Sequence, residues 1–487
     1  MIGCGIDAGV RSGLLAAACW GLLLAGRAWA SADVVGAVQQ HRSPGGVIER
    51  CVVLARMPGG LYSEEDAQEE AALCAVDFYD GRYAVCPKVF STSPGTLVYD
   101  LAGGPFAGDA ARFEGGQCRA GGTVRHGVAG PPVSYKMSVN GRETSATFAN
   151  SALAYYHFAR YFGATAHVPV AVLRSMDVGE HRRRVSERGV ALSAGSRPLR
   201  MNHAAWQLLH DAQDDPAAYE PRAELFTADG QVYGVLLRPQ GERYSEAVNG
   251  TRASGWGEGQ SRDFQETAPF RALRSDRPLA EAIAQGLAAA QRDPVLARAT
   301  AADATPAQIA FWMSDLIDIT LLDFIFSQQD RVGNIDYTPY WHWVEEGALR
   351  RRQAAADRPP ADLARGSPLL LKRTELGDND AGVRVSYANY TRRTQMLEKL
   401  RHYRAAVYQR LMALQRDFAA AGPLYEYVRV TFGLSPREFR QVVANTAAAA
   451  GILQASCAGG RLRFDVEPEE LLVRGEVQPR VVDCGAR

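Results

Sequence analysis

The sequence predicts an α+β protein in two lobes, a small β-rich lobe followed by a larger helical one, with a disulfide-rich N-terminal extension. Three observations carry this expectation. Glycines and cysteines crowd residues 31–130, strand, helix and hairpin signals alternate over 131–260, and long apolar runs at helical spacing dominate 261–455. With 487 residues, 47% hydrophobic and 22% charged, the chain can bury a large core and is neither disordered nor fibrous. The formal net charge is zero, so no whole-molecule field recruits nucleic acid or an anionic membrane, and any anion site must be local.

Residues 1–30 read as a secretory signal. Arg11 precedes an apolar run from Leu14 to Leu24, and Ala28-Trp29-Ala30 is a small-x-small cleavage site. The mature chain is therefore expected to be secreted or periplasmic, with no membrane span after cleavage near Ala30. It keeps Cys51, Cys74, Cys86, Cys118, Cys457 and Cys484, an even set in an exported chain. Their clustering points to Cys457 with Cys484, closing a tail at 456–487, and to two bridges among the first four. No Cys-x-x-Cys or His-rich spacing argues for structural zinc.

In the extension, Gly103-Gly104-Pro105-Phe106-Ala107-Gly108 and Glu114-Gly115-Gly116-Gln117 supply either ordinary turns or a phosphate-covering loop. Pro131 to Val139 reads as a strand. Thr147 to Phe162 has apolar residues at helical spacing and stops at Gly163, a C-cap. His167 to Leu173 follows as a buried strand, and Ala223–Thr227 with Val232–Leu237, joined through Asp229-Gly230, reads as a hairpin. In the second half, Thr305-Pro306-Ala307-Gln308 opens a helix with Pro at its first position. Further helices are expected over Thr394–Ala421 and from the capping box Ser435-Pro436-Arg437-Glu438. Residues 345–368 read as a solvated insertion, and Arg461–Cys484 as a short hairpin.

The most informative stretch is Leu321 to Asp336, where an apolar helical run ends in Asp330-Arg331-Val332-Gly333-Asn334-Ile335-Asp336. A carboxylate beyond a helix end accepts a hydroxyl proton, while an Asn within the next turn holds a divalent metal on a nucleotide phosphate. The alternative for Asp330, which the sequence favours less than the functional role, is a helix-end acid compensated by Arg331. Asp336 reads as a metal ligand or as a solvated turn acid. A second acidic turn, Gly377-Asp378-Asn379-Asp380-Ala381-Gly382-Val383, follows about forty residues later; Asn389 in place of a closing Glu argues against a calcium-binding EF-hand. The chain also favours Arg so strongly that Lys occurs only at 88, 136, 372 and 399. Lys136, on a strand just before the helix of the small lobe, is placed to reach nucleotide phosphates, where an ammonium fits a narrow cleft better than a planar guanidinium.

Tyr135-Lys136, the helix ending Tyr161-Phe162-Gly163, the following His167-Val168-Pro169-Val170, Asp330-Arg331 and Asp378-Asn379-Asp380-Ala381-Gly382-Val383 together resemble the atypical kinases of the secretory-pathway casein-kinase family. A fainter likeness is to HipA-type and phosphatidylinositol kinases. The likeness spans roughly residues 130–420 as scattered short motifs. It implies a protein-kinase-like fold with the β-rich N-lobe over 131–260 and the helical C-lobe over 261–455, ATP as cofactor with Mg²⁺ or Mn²⁺, and a hydroxyl-bearing acceptor on a protein, sugar or small molecule. It assigns Asp330 as catalytic base, Lys136 with Glu143 and Arg331 to the nucleotide, and Asp378, Asn334 and Asp380 to the metal. Three departures accompany it. Val332 stands where the family has His, Asn334 comes one residue early, and no acid lies near Ala152 to orient Lys136, Glu143 being the nearest upstream. A pseudokinase or scaffold role is the alternative.

No Gly-x-Ser-x-Gly elbow, His-Glu-x-x-His helix or Gly-x-x-x-x-Gly-Lys-Ser/Thr loop is present, which leaves hydrolase and P-loop chemistry without support.

Overall fold

Runs of β-branched and aromatic residues in the first 240 positions build one seven-stranded sheet. A computed structural model describes residues 35–485 apart from 120, 141–146, 221, 302–304 and 364–366, so the segment expected to be a signal and Glu143 lie outside the described residues. The strands are β1 (Val35–Arg42), β2 (Ile48–Leu54), β3 (Tyr83–Pro87), β4 (Gly95–Asp100), β5 (Val133–Met137), β6 (Ala171–Met176) and β7 (Val232–Leu237). They lie in the order β1-β2-β6-β7-β5-β4-β3, each antiparallel to its neighbours. β5, β6 and β7 are buried at every position, so the cations they carry, Lys136 on β5 and Arg174 on β6, are buried as well.

Disulfides staple this region as the cysteine clustering suggested. Cys51–Cys74 ties β2 to α1 (Glu64–Cys74), Cys86–Cys118 ties β3 to the end of α2 (Ala110–Gln117), and Cys457–Cys484 closes the tail. The helix α3 (Asn150–Phe162) ends at Gly163, whose φ of 63° is the left-handed cap its sequence announces. Nearly all of α3 is buried, including Tyr155, Tyr156 and Phe158.

Two sheet expectations need correction. The strand expected at His167 begins only at Ala171, because Pro169 has no N–H for a ladder. His167 instead bridges Glu375 across the molecule. The hairpin expected at Ala223–Thr227 is reduced to a single bridge, Phe226 to Val232, since β5 and β6 already occupy both edges of β7.

The helical region is organised around α4 (Pro306–Phe326), capped by Thr305 and buried almost throughout. Against it packs α6 (Pro436–Ala458), which opens with the Ser435/Glu438 capping box, and α5 (Ala405–Ala419) packs in turn on α6 and on α3. The helix expected from Thr394 starts eleven residues late, at Ala405, because His402–Tyr403 form a short parallel ladder with Arg463–Phe464 and the His402 imidazole bonds Asp465 at 2.8 Å. That ladder and a helix at Pro468–Arg474 replace the expected tail hairpin. No helix among the described residues is long and apolar enough to cross a membrane.

The helical half also contains a second sheet that its sequence did not announce. β8 (Glu242–Arg243), β9 (Asp336–Glu345), β10 (Ala348–Gln353) and β11 (Leu369–Glu375) pair antiparallel, with β9 central. The expected solvated insertion is thus partly a hairpin. It escaped notice because the arginines of β10 are mostly exposed and carry no apolar alternation.

Buried histidines give this fold a defined acid limit. His157, His181 and His342 are each at most 2% exposed, and burial first of all lowers their pKa to about 3, 4 and 4. In the unfolded chain they protonate near 6.5, so the folded state binds fewer protons below that value. Stability is therefore full above pH 6.5 and falls as pH drops toward 4, by at most about 1.4 kcal/mol per pH unit for each imidazole. Urea midpoints measured between pH 7.5 and 4.5 are expected to fall steeply across this window; a flat profile would show that these imidazoles are not held neutral.

Candidate active site

The two acidic motifs, about forty residues apart in sequence, are brought together by one strand register. β9 begins at Asp336 and β11 ends at Glu375, and these two residues are directly paired. Asn334 therefore precedes and Asp378 follows the same end of one ladder. Backbone bonds from Gln329 to Ala381 (3.1 Å) and from Val383 to Phe326 zip the two loops to each other and to the end of α4. A Cβ on Gly382 would lie 2.8 Å from the Ser151 hydroxyl, so a glycine is what allows the turn to press against α3. The turn also accepts the Phe148 N–H through Asp380 O at 2.7 Å, just before α3 starts.

Opposite this corner stands Lys136 on β5. Its register is set by Gly95 on β4 and Val235 on β7, and a side chain at the adjoining Gly234 would collide with the Lys136 carbonyl. The ammonium crosses a solvent-open cleft of about 740 Å³ to donate to Asp378 Oδ1 at 3.0 Å, Asp380 Oδ1 at 3.1 Å and the Gly377 carbonyl at 3.2 Å. Desolvation lowers its pKa, but the two carboxylates outweigh this and hold it above the ordinary lysine value. Desolvation likewise works to raise Asp378, and Lys136 foremost overcomes it, holding that carboxyl far below the usual range.

Asp330 and Asn334 line the same cleft. Burial, reinforced by Asp378 and Asp380, raises the Asp330 carboxyl, although the Trp256 indole hydrogen bond partly offsets this. A carboxylate with a raised pKa is closer to the value a general base needs. Asn334 donates to the Asp330 carbonyl at 2.8 Å, which fixes its amide and turns its Oδ1 outward to Arg243 at 2.5 Å. Asn249 shapes the loop from behind, accepting from Gly333 and Ile335 N–H and donating to the Ile335 carbonyl.

Arg331, expected on the nucleotide, turns inward instead. Its guanidinium is 5% exposed and bonds Asp323 Oδ2 at 3.0 Å, Asn379 Oδ1 at 2.8 Å and the Asp378 carbonyl at 3.2 Å, while Tyr155 donates to Asp323 at 2.7 Å. The reason is charge: Asp323, 3% exposed inside α4, has to be paired with a cation. Arg331 thus clamps the Asp330 loop to the Asp378 turn. Asp323→Ala is expected to cost about 3–5 kcal/mol by leaving that guanidinium buried and unpaired; urea unfolding measures it, and a loss under 1 kcal/mol would deny the clamp.

Lys136, Asp330, Asn334, Asp378 and Asp380 therefore converge. As the sequence shows, α3 carries no acid near Ala152, and the described partners of Lys136 are the two aspartates and the Gly377 carbonyl of the turn.

Three features of the site had not been identified. Lys88 lines the cleft from the β3–β4 connection, where burial lowers its pKa against the pull of Asp378, and its ammonium stands 5.7 Å from the centroid of the Phe90 ring. The scarcity of lysine was the available signal, since two of the four face one cleft. The Ser91-Thr92-Ser93-Pro94-Gly95 loop, rather than either glycine cluster at 103–108 or 114–117, overhangs the cleft. Arg243 bonds Asp336 Oδ1 at 2.5 Å, Asp378 Oδ2 at 3.3 Å and Asn334, and nothing in its local sequence marks it.

Asp378, Asp336 and Asn334 each turn a hard oxygen donor toward the Arg243 guanidinium, a donor type that suits Mg²⁺ or Mn²⁺. Among the described residues no group of three or more His, Cys, Asp or Glu forms a metal cage by itself, so the amide and a nucleotide phosphate would have to complete the shell. No family model matches this sequence, and no curated protein matches it significantly.

Proposed function

We propose that the protein is an exported, kinase-like phosphotransferase that binds ATP between a β-rich N-lobe and a helical C-lobe and transfers the γ-phosphoryl group to a hydroxyl acceptor. One observation supports this above the rest: Lys136, Asp330, Asn334, Asp378 and Asp380, from three separate parts of the chain, line a single cleft. Chance placement of solvated turn residues does not produce such convergence.

In this reading Lys136 and Lys88 neutralise phosphate charge beneath the Ser91–Gly95 loop, whose small hydroxyl residues and glycine leave room for phosphate oxygens. Asp378 and Asn334 hold the divalent metal, with Asp380 oriented toward Lys136. The metal, when bound, supplies charge neutralisation on the β- and γ-phosphates. Asp330 accepts the acceptor's hydroxyl proton as the acceptor oxygen bonds to the γ-phosphorus and the bond from that phosphorus to the β-bridging oxygen breaks, releasing ADP. Asp330 then returns the proton to solvent.

A non-catalytic, pseudokinase-like binding module is the second reading. The observation in its favour is that both oxygens of Asp378 are already engaged by protein cations, Lys136 on Oδ1 and Arg243 on Oδ2. Calorimetric titration of the mature, oxidised protein with ATP, with and without Mn²⁺, separates the two from a third outcome. Metal-dependent binding followed by ADP release supports the phosphotransferase, binding without turnover supports the module, and no binding under either condition overturns the nucleotide site.

A further inference from the structure

We propose that Arg243 and the divalent metal are alternative occupants of one oxygen cage, so that metal entry requires this guanidinium to leave. The inference rests on the nucleotide reading above and adds to it a built-in control of the same site.

The geometry is specific. Arg243 Nε bonds Asp336 Oδ1 at 2.5 Å, Nη2 reaches Asp378 Oδ2 at 3.3 Å, and Nη1 donates to Asn334 Oδ1 at 2.5 Å and to the Gly333 carbonyl. Those three side-chain oxygens are the donors that the metal needs. A guanidinium lying across all three oxygens fills the space between them, and its charge repels a divalent ion at contact distance, so the two exclude each other there. Arg243 is also free to go: its side chain is 44% exposed, in contrast to Lys136, at 10% on the other face of Asp378. One cation on Asp378 is thus fixed by packing, and the other is removable.

Its position suggests what moves it. Arg243 lies on β8, in the segment that leads from β7 of the large sheet into the helical region, six residues after Leu237. β8 is only two residues long and rests on the start of β9 through Glu242–Tyr337 and Arg243–Asp336. Just before it, Gly241 adopts φ +93°, with its Cα so close to the Tyr337 carbonyl that a side chain there would clash. Sheet and catalytic corner are therefore connected through the arginine itself. Held in place, Arg243 neutralises Asp336 and Asp378 in the resting protein and lowers their affinity for free metal. An incoming nucleotide with its metal brings positive charge and phosphate together, replacing the arginine at the carboxylates.

The test uses Mn²⁺ alone, titrated by calorimetry into the mature, oxidised protein. Arg243→Gln is expected to bind Mn²⁺ at least tenfold more tightly than the wild type, and Arg243→Gln combined with Asp378→Asn is expected to lose that gain. Arg238→Gln, which removes a guanidinium paired with Glu69 instead, controls for net charge and is expected to leave Mn²⁺ affinity within twofold of wild type. Arg243→Lys keeps the charge but cannot span three oxygens; its expected affinity is at least threefold tighter than wild type, and it carries the test if the Gln variant does not fold. Equal Mn²⁺ affinity in wild type and the Arg243 variants, in a protein that binds ATP with Mn²⁺, would overturn the arginine gate and leave the nucleotide reading intact. Absence of both Mn²⁺ and ATP binding in every variant would overturn both.

Discussion

Asp378→Ala is expected to lower ATP affinity in the presence of Mn²⁺ at least a hundredfold, about 2.7 kcal/mol, while the protein stays folded. The expectation follows from where its two oxygens point. Oδ1 holds the Lys136 ammonium at 3.0 Å and Oδ2 is turned 3.3 Å from Arg243, at the corner proposed for the metal. Removing the carboxylate withdraws the proposed metal ligand and half of the acidic pair that positions Lys136. Asp380 remains on Lys136 at 3.1 Å, so the buried ammonium is not left alone and the fold survives. Asp378→Asn keeps the shape and loses the charge; it is expected to fall between the two. Calorimetry with and without Mn²⁺ reads the effect. Metal-dependent affinity unchanged in the alanine variant would remove Asp378 from the site, and the phosphotransferase reading with it.

The second large effect concerns Asp330. Asp330→Asn is expected to reduce ATP turnover by about 10²–10⁴-fold, the usual worth of a positioned general base, with ATP affinity within about threefold of wild type. Water serves as the acceptor in this assay, so the physiological acceptor need not be known. The pH dependence gives an independent reading. Burial raises the Asp330 carboxyl, and only the ionised form accepts a proton. The wild-type rate should therefore rise with pH through a midpoint above the ordinary aspartate value of about 3.9, and the Asn variant should lack that limb. Equal turnover in the two proteins would leave Asp330 as a buried loop acid, held by Trp256, with no role in chemistry.

These predictions rest on residues that the sequence made visible for a physical reason. Asp330, Asn334, Asp378 and Asp380 stand out because a cluster of acids and amides directly after a long apolar helix, or around a glycine turn, is costly unless something requires it. Lys136 stands out because lysine is rare in this chain. The α+β composition, α3 with its Gly163 cap, the start of α4 and the Ser435 box were legible for the same kind of reason: each is written in residues within one or two turns of one another. The Cys457–Cys484 pair was legible because its partners are near in sequence, 27 residues apart, whereas the pairing within the first four cysteines stayed open until the fold joined Cys51 to Cys74 and Cys86 to Cys118.

What was not legible depends on distant neighbours. Arg331 was expected to face nucleotide and instead faces Asp323, because a buried carboxylate in α4 requires a cation that no local pattern reveals. The sequence offered no acid on α3 for Lys136 and only Glu143 upstream, which lies outside the described residues; among the described residues its partners are the acids of the Asp378 turn, placed there by the Asp336–Glu375 register. Arg243 is one arginine among many in the sequence and becomes distinctive only where β8 lays it across three oxygens. The strand expected at Ala223–Thr227 had a suitable sequence but no vacant edge to join. The sequence by itself determined which residues carry charge, oxygen donors and proton-accepting capacity, and several of the local elements that hold them. The tertiary structure alone decided which charges meet, because burial and strand register, set by contacts between residues far apart in the chain, assign each acid its cation.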